Sequence, residues 1–263
     1  MTHASDLSAF RHLHAGPELL VLANCWDALT ATLVVDAGAR AIATTSAAVA
    51  WAHGYPDGDA VPVDLTLATV AAIRRVTRLP LSVDAEGGYS DEPGAVAATI
   101  ARLVAAGAVG VNLEDGTEPP ALFEAKVRAI KAHTDVFVNA RTDVYLRGLV
   151  APGERVAETI ARGHRYRAAG ADGLFVPGIT DLAEMKAIAD AVGLPLNVLA
   201  RPGMAGAAPL LAAGVRRLSA GSALAQTSWT RLTAQVRGFL VDGIADIVTA
   251  DATPHGTINA RFG

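Results

Sequence analysis

The sequence predicts a single (β/α)8 barrel, an α/β fold of the TIM type, carrying a helical extension at its C-terminus. Three observations lead there. A junction recurs in which a helical run ends in Ala-Gly-(Ala/Val) and a short β-prone run follows: "VVDAGARAIATTS", "LVAAGAVGVNLED", "YRAAGADGLFVPG" and "LLAAGVRRLSAGS". Four further runs read as strands: "ELLVLAN", "LPLSVDA", "DVFVNAR" and "LPLNVLA". The strands are nearly continuous in apolar residues and alternate with Ala-rich helical segments, the pattern of a parallel sheet buried on both faces. Eight such units in 263 residues fit one closed barrel. A doubly wound open sheet is the alternative, and the absence of GxGxxG after the first strand weighs against it.

The elements follow in order. The first strand, near 18–24, is the apolar run that ends at Asn24. The second, near 40–45, follows Gly38, one of four glycines (with Gly107, Gly170 and Gly214) placed where a left-handed residue closes a helix. A long loop, "AAVAWAHGYPDGDAVPVD", comes next. The third strand, near 80–85, begins at Pro80, and the seventh, near 194–199, at Pro195; a strand start tolerates the missing N–H. The fourth, near 108–114, follows Gly107, and the fifth, near 135–141, ends in Asn-Ala-Arg. The sixth, near 172–177, follows Gly170, and the eighth, near 215–220, follows Gly214. No linker or low-complexity stretch interrupts the chain, so residues 1–263 read as one domain. The polar tail from about 245, "VTADATPHGTINARFG", is expected to be loosely held or to pack on a neighbouring subunit.

Bulk properties exclude several classes. Half the chain (51%) is hydrophobic and 18% is charged, enough apolar content for a large core. A net charge of −4 argues against a nucleic-acid partner. The one cysteine, Cys25, permits no intrachain disulfide and no cysteine-rich metal site, and it reads as a small packed residue. The N-terminus has His, Asp and Arg where a secretory signal needs an apolar block. No apolar stretch reaches the roughly 20 residues of a membrane span. The expectation is a soluble, cytoplasmic protein with no membrane partner.

Barrel chemistry sits at the C-terminal ends of the strands. Read in order, those ends offer Asn24 and Asp27, then Thr45 and Ser46, then Asp84 and Glu86, then Glu114 and Asp115. Asn139 and Arg141, Asn197, and finally Ser219 complete the series. The acids concentrate on the third and fourth strands. Strand alternation puts Asp84 and Glu86 on one face. Two carboxylates about 4 Å apart repel by roughly 4 kcal/mol at an effective dielectric of 20. Glu114 adds to the repulsion, so the cluster calls for a cation, an arginine or raised pKa values. Oxygen ligands without a Cys or His pair point to Mg²⁺ or Mn²⁺ rather than zinc. Salt bridging or helix capping by the same acids is the alternative. Arg141 reads either as a bidentate clamp for a substrate carboxylate or as an ion-pair partner of Asp84 or Asp143. Gly87 and Gly88 read as turn residues, and His53 and His255 as surface histidines.

These segments resemble the isocitrate lyase / phosphoenolpyruvate mutase superfamily, roughly from Asn24 to Ala225. "VDAEGGYSD" is similar to its strand-3 motif, "VNLED" to its strand-4 Glu-Asp and "NARTD" to its strand-5 Ala-Arg-Thr-Asp. "WDALTA" and "TTSAAVAWAHGYPDG" resemble its segment after strand 1 and its substrate loop. Any one is weak; five in order, each at the expected strand end, are strong. The resemblance implies that Asp84, Glu86 and Glu114 surround Mg²⁺ and that Asp57 is the active-site aspartate. It implies that Thr45, Ser46 and Ala47 offer backbone N–H groups to a substrate carboxylate and that Arg141 binds the substrate; Asn197 joins the substrate-binding candidates. It also implies a homo-oligomer, dimer or tetramer, in which the last helix packs on a neighbouring barrel.

The chemistry implied is cleavage of a C–C bond in a small 2-oxo or 2-hydroxy di- or tricarboxylic acid, by retro-aldol reaction or decarboxylation, through a pyruvate-like enolate held by the metal. Retro-aldol cleavage needs a base, for which Tyr89, Asp57 or a metal-bound water are candidates. A phosphonopyruvate-type C–P mutase or hydrolase and an inactive metabolite-binding barrel are the alternatives. The chain departs from the pattern at Glu86, where the superfamily has a second aspartate. It also has "EDGTEPPALFEAKVRA" where isocitrate and methylisocitrate lyases carry a Lys-Lys/Arg-Cys-Gly-His segment.

Overall fold

The structure, a computed structural model, describes residues 3–263. Two compact units divide the chain, one running to Gly221 and the other spanning Ser222–Gly263.

The first unit is a nearly closed barrel of nine parallel strand segments. They are β1 (Leu20–Leu22), β2 (Asn24–Cys25), β3 (Ile42–Thr44), β4 (Leu81–Asp84), β5 (Gly110–Glu114), β6 (Phe137–Arg141), β7 (Gly173–Val176), β8 (Leu196–Leu199) and β9 (Val215–Ser219). Every neighbouring pair is parallel, as the apolar runs and intervening helices require. The expected first strand is the one that differs: it is split at Ala23. Leu20–Leu22 pair with β9, whereas Asn24 and Cys25 pair with β3. One short stretch thus serves both edges of the sheet, changing partner where the barrel closes. Gly38, Gly107, Gly170 and Gly214 all have positive φ, between 85° and 111°, and each follows a helix end as expected.

Around the barrel run α2 (Ala28–Asp36), α3 (Ser46–Ala52), α4 (Val63–Val76), α5 (Pro93–Ala105), α6 (Pro120–His133), α7 (Arg155–Ala169), α8 (Leu182–Val192) and α9 (Ala207–Ala212). Local chemistry sets their starts. Asp27 caps α2 by accepting from the Thr30 amide at 2.7 Å, and Thr30 returns a capping-box contact to the Asp27 amide. Glu92 with Pro93 opens α5, and Asp181 caps α8. The main core lies between strands and helices, from Ile42 and Val83 to Val111, Val138 and Val198.

The barrel interior is filled differently. Its strands present Ala43, Ser82, Gly110 and Gly173, which leave space, and α1 (His3–Ala15) inserts Leu7 and Phe10 against Leu20, Leu22, Val109 and Phe137. A Cβ on Gly110 would sit 2.7 Å from the Phe10 ring, so glycine there is a condition for this plug. His14 completes it. Its ring is buried, stacks on Phe137 with centroids 4.3 Å apart, and Nδ1 bonds the Phe10 carbonyl at 2.8 Å. Burial, helped by the charge of Arg217, pushes its pKa down to about 3 from 6.5. The unfolded chain therefore binds the proton first. Stability from this site is complete above pH 6.5 and is lost progressively as pH falls towards about 3. Denaturant titration at pH 6.5 and pH 5 should show a loss of about 2 kcal/mol from this group. His14→Leu should remove that part of the slope; an unchanged slope rules the site out as its origin.

The second unit holds α10 (Ala223–Asp242), α11 (Asp246–Thr249) and α12 (His255–Asn259). None of the three helices buries a residue. The tail expected from about 245 lies within this unit. Among the described residues, no helix is long and apolar enough to cross a membrane.

Candidate active site

Strand register gathers polar side chains at the C-terminal mouth. Asp84 on β4 is level with Asn112 on β5, which is level with Asn139 on β6; Glu114 is level with Arg141. Asn139 Nδ2 donates to Asn112 Oδ1 at 2.9 Å. Asn24 ties the closure of the barrel: its Nδ2 donates to the Thr44 carbonyl at 2.7 Å and its Oδ1 accepts from the Gly221 amide at 2.8 Å. On β8 and β9, Ser219 donates to Asn197 Oδ1 at 3.2 Å, while Asn197 Nδ2 is buried without a partner.

The three acids do not sit alike. Asp84 has its backbone N–H on Thr44 Oγ1 (2.8 Å), and its Oδ2 accepts from the Ser46 amide (3.1 Å). Glu86 turns towards the long second loop, and its Oε2 accepts from the amides of Gly58, at 3.0 Å, and Asp59. Asp59 answers by accepting from the amides of Gly87 and Tyr89. This clasp holds the only non-glycine positive φ values among the described residues: Asp59 (55°), Glu86 (51°) and Tyr89 (61°). Such conformations cost on the order of 1–3 kcal/mol each and persist where surrounding contacts enforce them. Glu114 faces Arg141, with Oε2 2.5 Å from Nη1.

Burial raises all three carboxyls. Asp84 is raised first by desolvation, then by the Asp57 charge, against the pull of Arg141 and the Ser46 amide. Glu86 is pushed up to about 7 by desolvation and by Asp59, Asp84 and Asp57. Glu114 is raised by desolvation, with Asp84 and Asp143 adding to it against Arg141. Among the described residues, no group of three or more His, Cys, Asp or Glu side chains converges closely enough to hold a metal on its own.

The remaining sequence candidates fall as follows. Asp57 lies exposed on the loop that Glu86 clasps, near enough for its charge to act on both Asp84 and Glu86. The Thr45 amide donates to the Cys25 carbonyl at 3.2 Å and the Ser46 amide to Asp84, leaving Ala47 in the first turn of α3. Tyr89 packs against the core with its hydroxyl 3.5 Å from Thr66 Oγ1, and burial holds the phenol well above its usual range. Cys25 is buried, its thiol pushed up to about 12 by desolvation and Asp27. His53 bonds Thr69 Oγ1 at 2.9 Å.

Arg141 has its fork on Asp143: Nε reaches Oδ1 at 2.7 Å and Nη2 reaches Oδ2 at 3.0 Å. Arg147 shares Asp143, with Nε 2.7 Å from Oδ2. Below them Asp115, fully buried, accepts from the Asp143 amide (2.9 Å), Arg162 (2.8 Å) and the Tyr166 hydroxyl (2.6 Å).

Three residues here escaped the sequence reading. Arg147 lies beyond the strand end, in a turn that gives no periodic signal. Asn112 shares a face with Glu114, so strand alternation in "VNLED" could have found it. Arg217 is 0% exposed inside the barrel, with Nε on Ser219 Oγ (3.1 Å) and both terminal nitrogens unpartnered. Its one signal is an arginine pair inside a short strand, "VRRLS".

Comparison with known proteins identifies the family. Residues 10–240 match the family model described as phosphoenolpyruvate phosphomutase. An uncharacterised protein of Mycobacterium tuberculosis H37Rv is 40% identical over 219 residues, covering 81% of this chain and 82% of its own. The oxaloacetate decarboxylase of Bradyrhizobium diazoefficiens is 30% identical over 206 residues, covering 74% and 71%. A crystal structure of a presumed phosphonomutase from Burkholderia cenocepacia J2315 superposes with a TM-score of 0.84 at 37% identity, over 90% of this chain and 99% of that one. With motifs, barrel and family match in accord, the chain belongs to the phosphoenolpyruvate phosphomutase family, within the isocitrate lyase / phosphoenolpyruvate mutase superfamily.

Proposed function

We propose that the protein is a Mg²⁺-dependent (or Mn²⁺-dependent) carbon–carbon lyase acting on a small 2-oxo or 2-hydroxy di- or tricarboxylic acid, with decarboxylation its simplest reaction. The observation that carries this reading is the surplus of buried carboxylate at the mouth. Asp84, Glu86 and Glu114 are all raised by burial and by one another's neighbours, while the fork of Arg141 is committed to Asp143. An oxygen-only donor set with excess negative charge fits a hard divalent cation, which needs only one or two carboxylates directly and keeps several waters. Asp84, Glu86 and Glu114 are the residues that would hold it. Such an ion, when bound, offsets negative charge developing on a substrate oxygen.

This chain's own groups do the rest. The Ser46 amide fixes the Asp84 carboxylate, and the Glu86 clasp holds the 57–59 loop at the mouth. In this reading Arg141 adds positive charge beside Glu114, Asn197 Nδ2 and the Ala47 amide offer donors to a substrate carboxylate, and Asp57, on the loop clasped by Glu86, moves a proton. Decarboxylation asks least of this equipment. The bond to the departing carboxylate breaks, CO₂ leaves, and the electron pair enters the 2-oxo group, so no base is needed before cleavage. Tyr89, buried and held protonated on Thr66, suits the packing of the turn better than proton abstraction. The oxaloacetate decarboxylase relative supports this order.

C–P chemistry on a phosphonopyruvate-like acid is the second reading, favoured by the similarity to the presumed phosphonomutase. A panel of oxo- and hydroxy-acids with Mg²⁺, assayed for pyruvate or glyoxylate release and run beside phosphonopyruvate, separates the two. Turnover of the phosphonate alone reverses the order. Lack of Mg²⁺-dependent oxalate binding favours an inactive, metabolite-binding barrel.

The same proposal includes a homo-oligomer, dimer or tetramer. In α10, Trp229, Leu232, Val236 and Leu240 form an apolar stripe at helical spacing, and Trp229 is 77% exposed. A second copy is the occupant expected for it. Trp229→Glu should lower the mass seen by sedimentation to that of the monomer; a wild-type protein already monomeric at micromolar concentration contradicts the assignment. The single buried cysteine is compatible with a reducing compartment such as the cytoplasm.

A further inference from the structure

Two guanidinium groups stand at the mouth, and they are not equally engaged. All three nitrogens of Arg141 face acids: Nε and Nη2 on Asp143, Nη1 on Glu114. Arg147 differs. Its side chain is 49% exposed, its Nε donates to Asp143 Oδ2 at 2.7 Å, and its Nη2 stops 3.9 Å from Glu114, beyond hydrogen-bond reach. Among the described residues, Asp143 is the only acceptor it uses. The anchor is rigid, because Asp143 is fully buried and its amide is held by Asp115. A guanidinium pinned through Nε presents its two terminal nitrogens as a planar fork, the shape that grips a carboxylate, phosphonate or sulfonate through two parallel bonds.

We propose that Arg147 is the subsite for a second anionic group on the substrate, carried on the carbon next to the oxo group. This rests on reading the mouth as a small-acid site and narrows it: substrates with a distal anion are selected over simple 2-oxo monoacids. Glu114 lies within ion-pair range of both arginines, so the fork is kept close to the strand ends rather than free in solvent. The sequence order also fits, since Arg147 sits in the turn after Arg141 and Asp143, which carries it from strand end to rim.

The test compares two unreactive probes with Mg²⁺ by calorimetry. Oxalate has no distal group; sulfopyruvate has a sulfonate in the distal position. Arg147→Met should weaken sulfopyruvate by about tenfold or more, the loss of one charge-assisted fork, while oxalate shifts by about twofold at most. Arg147→Lys, which keeps the charge without the fork, should fall between. Retained oxalate binding shows that the variants are folded. Equal losses for both probes, or no loss for sulfopyruvate, overturn the subsite. A wild-type protein that binds neither probe overturns the small-acid reading beneath it, a result distinct from the first. With oxaloacetate and phosphonopyruvate as competitors, the one whose advantage over pyruvate disappears in Arg147→Met identifies the group the fork receives; an advantage surviving for both counts against the proposal.

Discussion

Asp84→Asn should abolish turnover and leave a folded protein. The expected loss is at least about a thousandfold, because in the proposed reaction the substitution removes the charge that would hold the divalent ion and, through it, offset charge at the substrate. Asparagine keeps the shape and an oxygen for the Ser46 amide, so the local hydrogen bond survives. Stability should move the other way. Asp84 is a buried carboxylate raised by desolvation, and the Asp57 charge adds to the strain. Replacing it with a neutral isostere relieves both, and without metal the variant should melt at or slightly above the wild-type temperature. Calorimetry and a turnover assay on the same preparation check the pair of effects. Wild-type activity in Asp84→Asn would remove Asp84 from the metal site. A large fall in melting temperature would mean that the residue serves the fold instead.

That a carboxylate pair marks the mouth is legible in the sequence, and physics explains why. Asp84 and Glu114 end apolar strands, where an acid has no structural reason to stand; parallel register sets Asp84 level with Asn112, two residues before Glu114 on the neighbouring strand, close enough for the Asp84 charge to act on Glu114. The barrel is legible for the same reason: its unit is local, a helix closed by glycine and followed by a buried strand. What escapes is whatever depends on contact between distant segments. Glu86 reads as a third metal acid, yet one of its oxygens goes to amides in the 57–59 loop. Periodicity says nothing about such a clasp. Arg141 left two partners open, and the choice of Asp143 depends on a turn that brings the two side chains within 2.7 Å. The division of the first strand at Ala23 follows from barrel closure, which no local pattern encodes. Phe10 and Phe137 fill a space that exists only because Gly110 and Gly173, far apart in sequence, face the same interior.

Asp115→Asn should be the most destabilising single isosteric change in the barrel, and it should reach the mouth as well. Asp115 accepts from Arg162, from the Tyr166 hydroxyl and from the Asp143 amide, with no solvent exposure. The amide can retain one acceptor, but its NH₂ then opposes donors, and Arg162 keeps only Glu158 as an ionic partner. Breaking a buried ion pair by removing one charge costs about 3–5 kcal/mol. For a chain of this size that corresponds to a melting temperature lower by on the order of 10 °C. Tyr166→Phe removes one hydrogen bond and leaves the charges paired, so it should cost only about 1 kcal/mol. The difference between the two variants isolates the ionic part. The functional consequence follows from geometry. Asp115 fixes the Asp143 amide, and Asp143 carries both Arg141 and Arg147. Loosening the brace should therefore raise KM for an acid with a distal anion more than it lowers kcat, measured below the new melting temperature. A variant that melts within about 2 °C of wild type would show that water replaces the carboxylate at little cost. The brace would then not be what holds the two arginines at the rim.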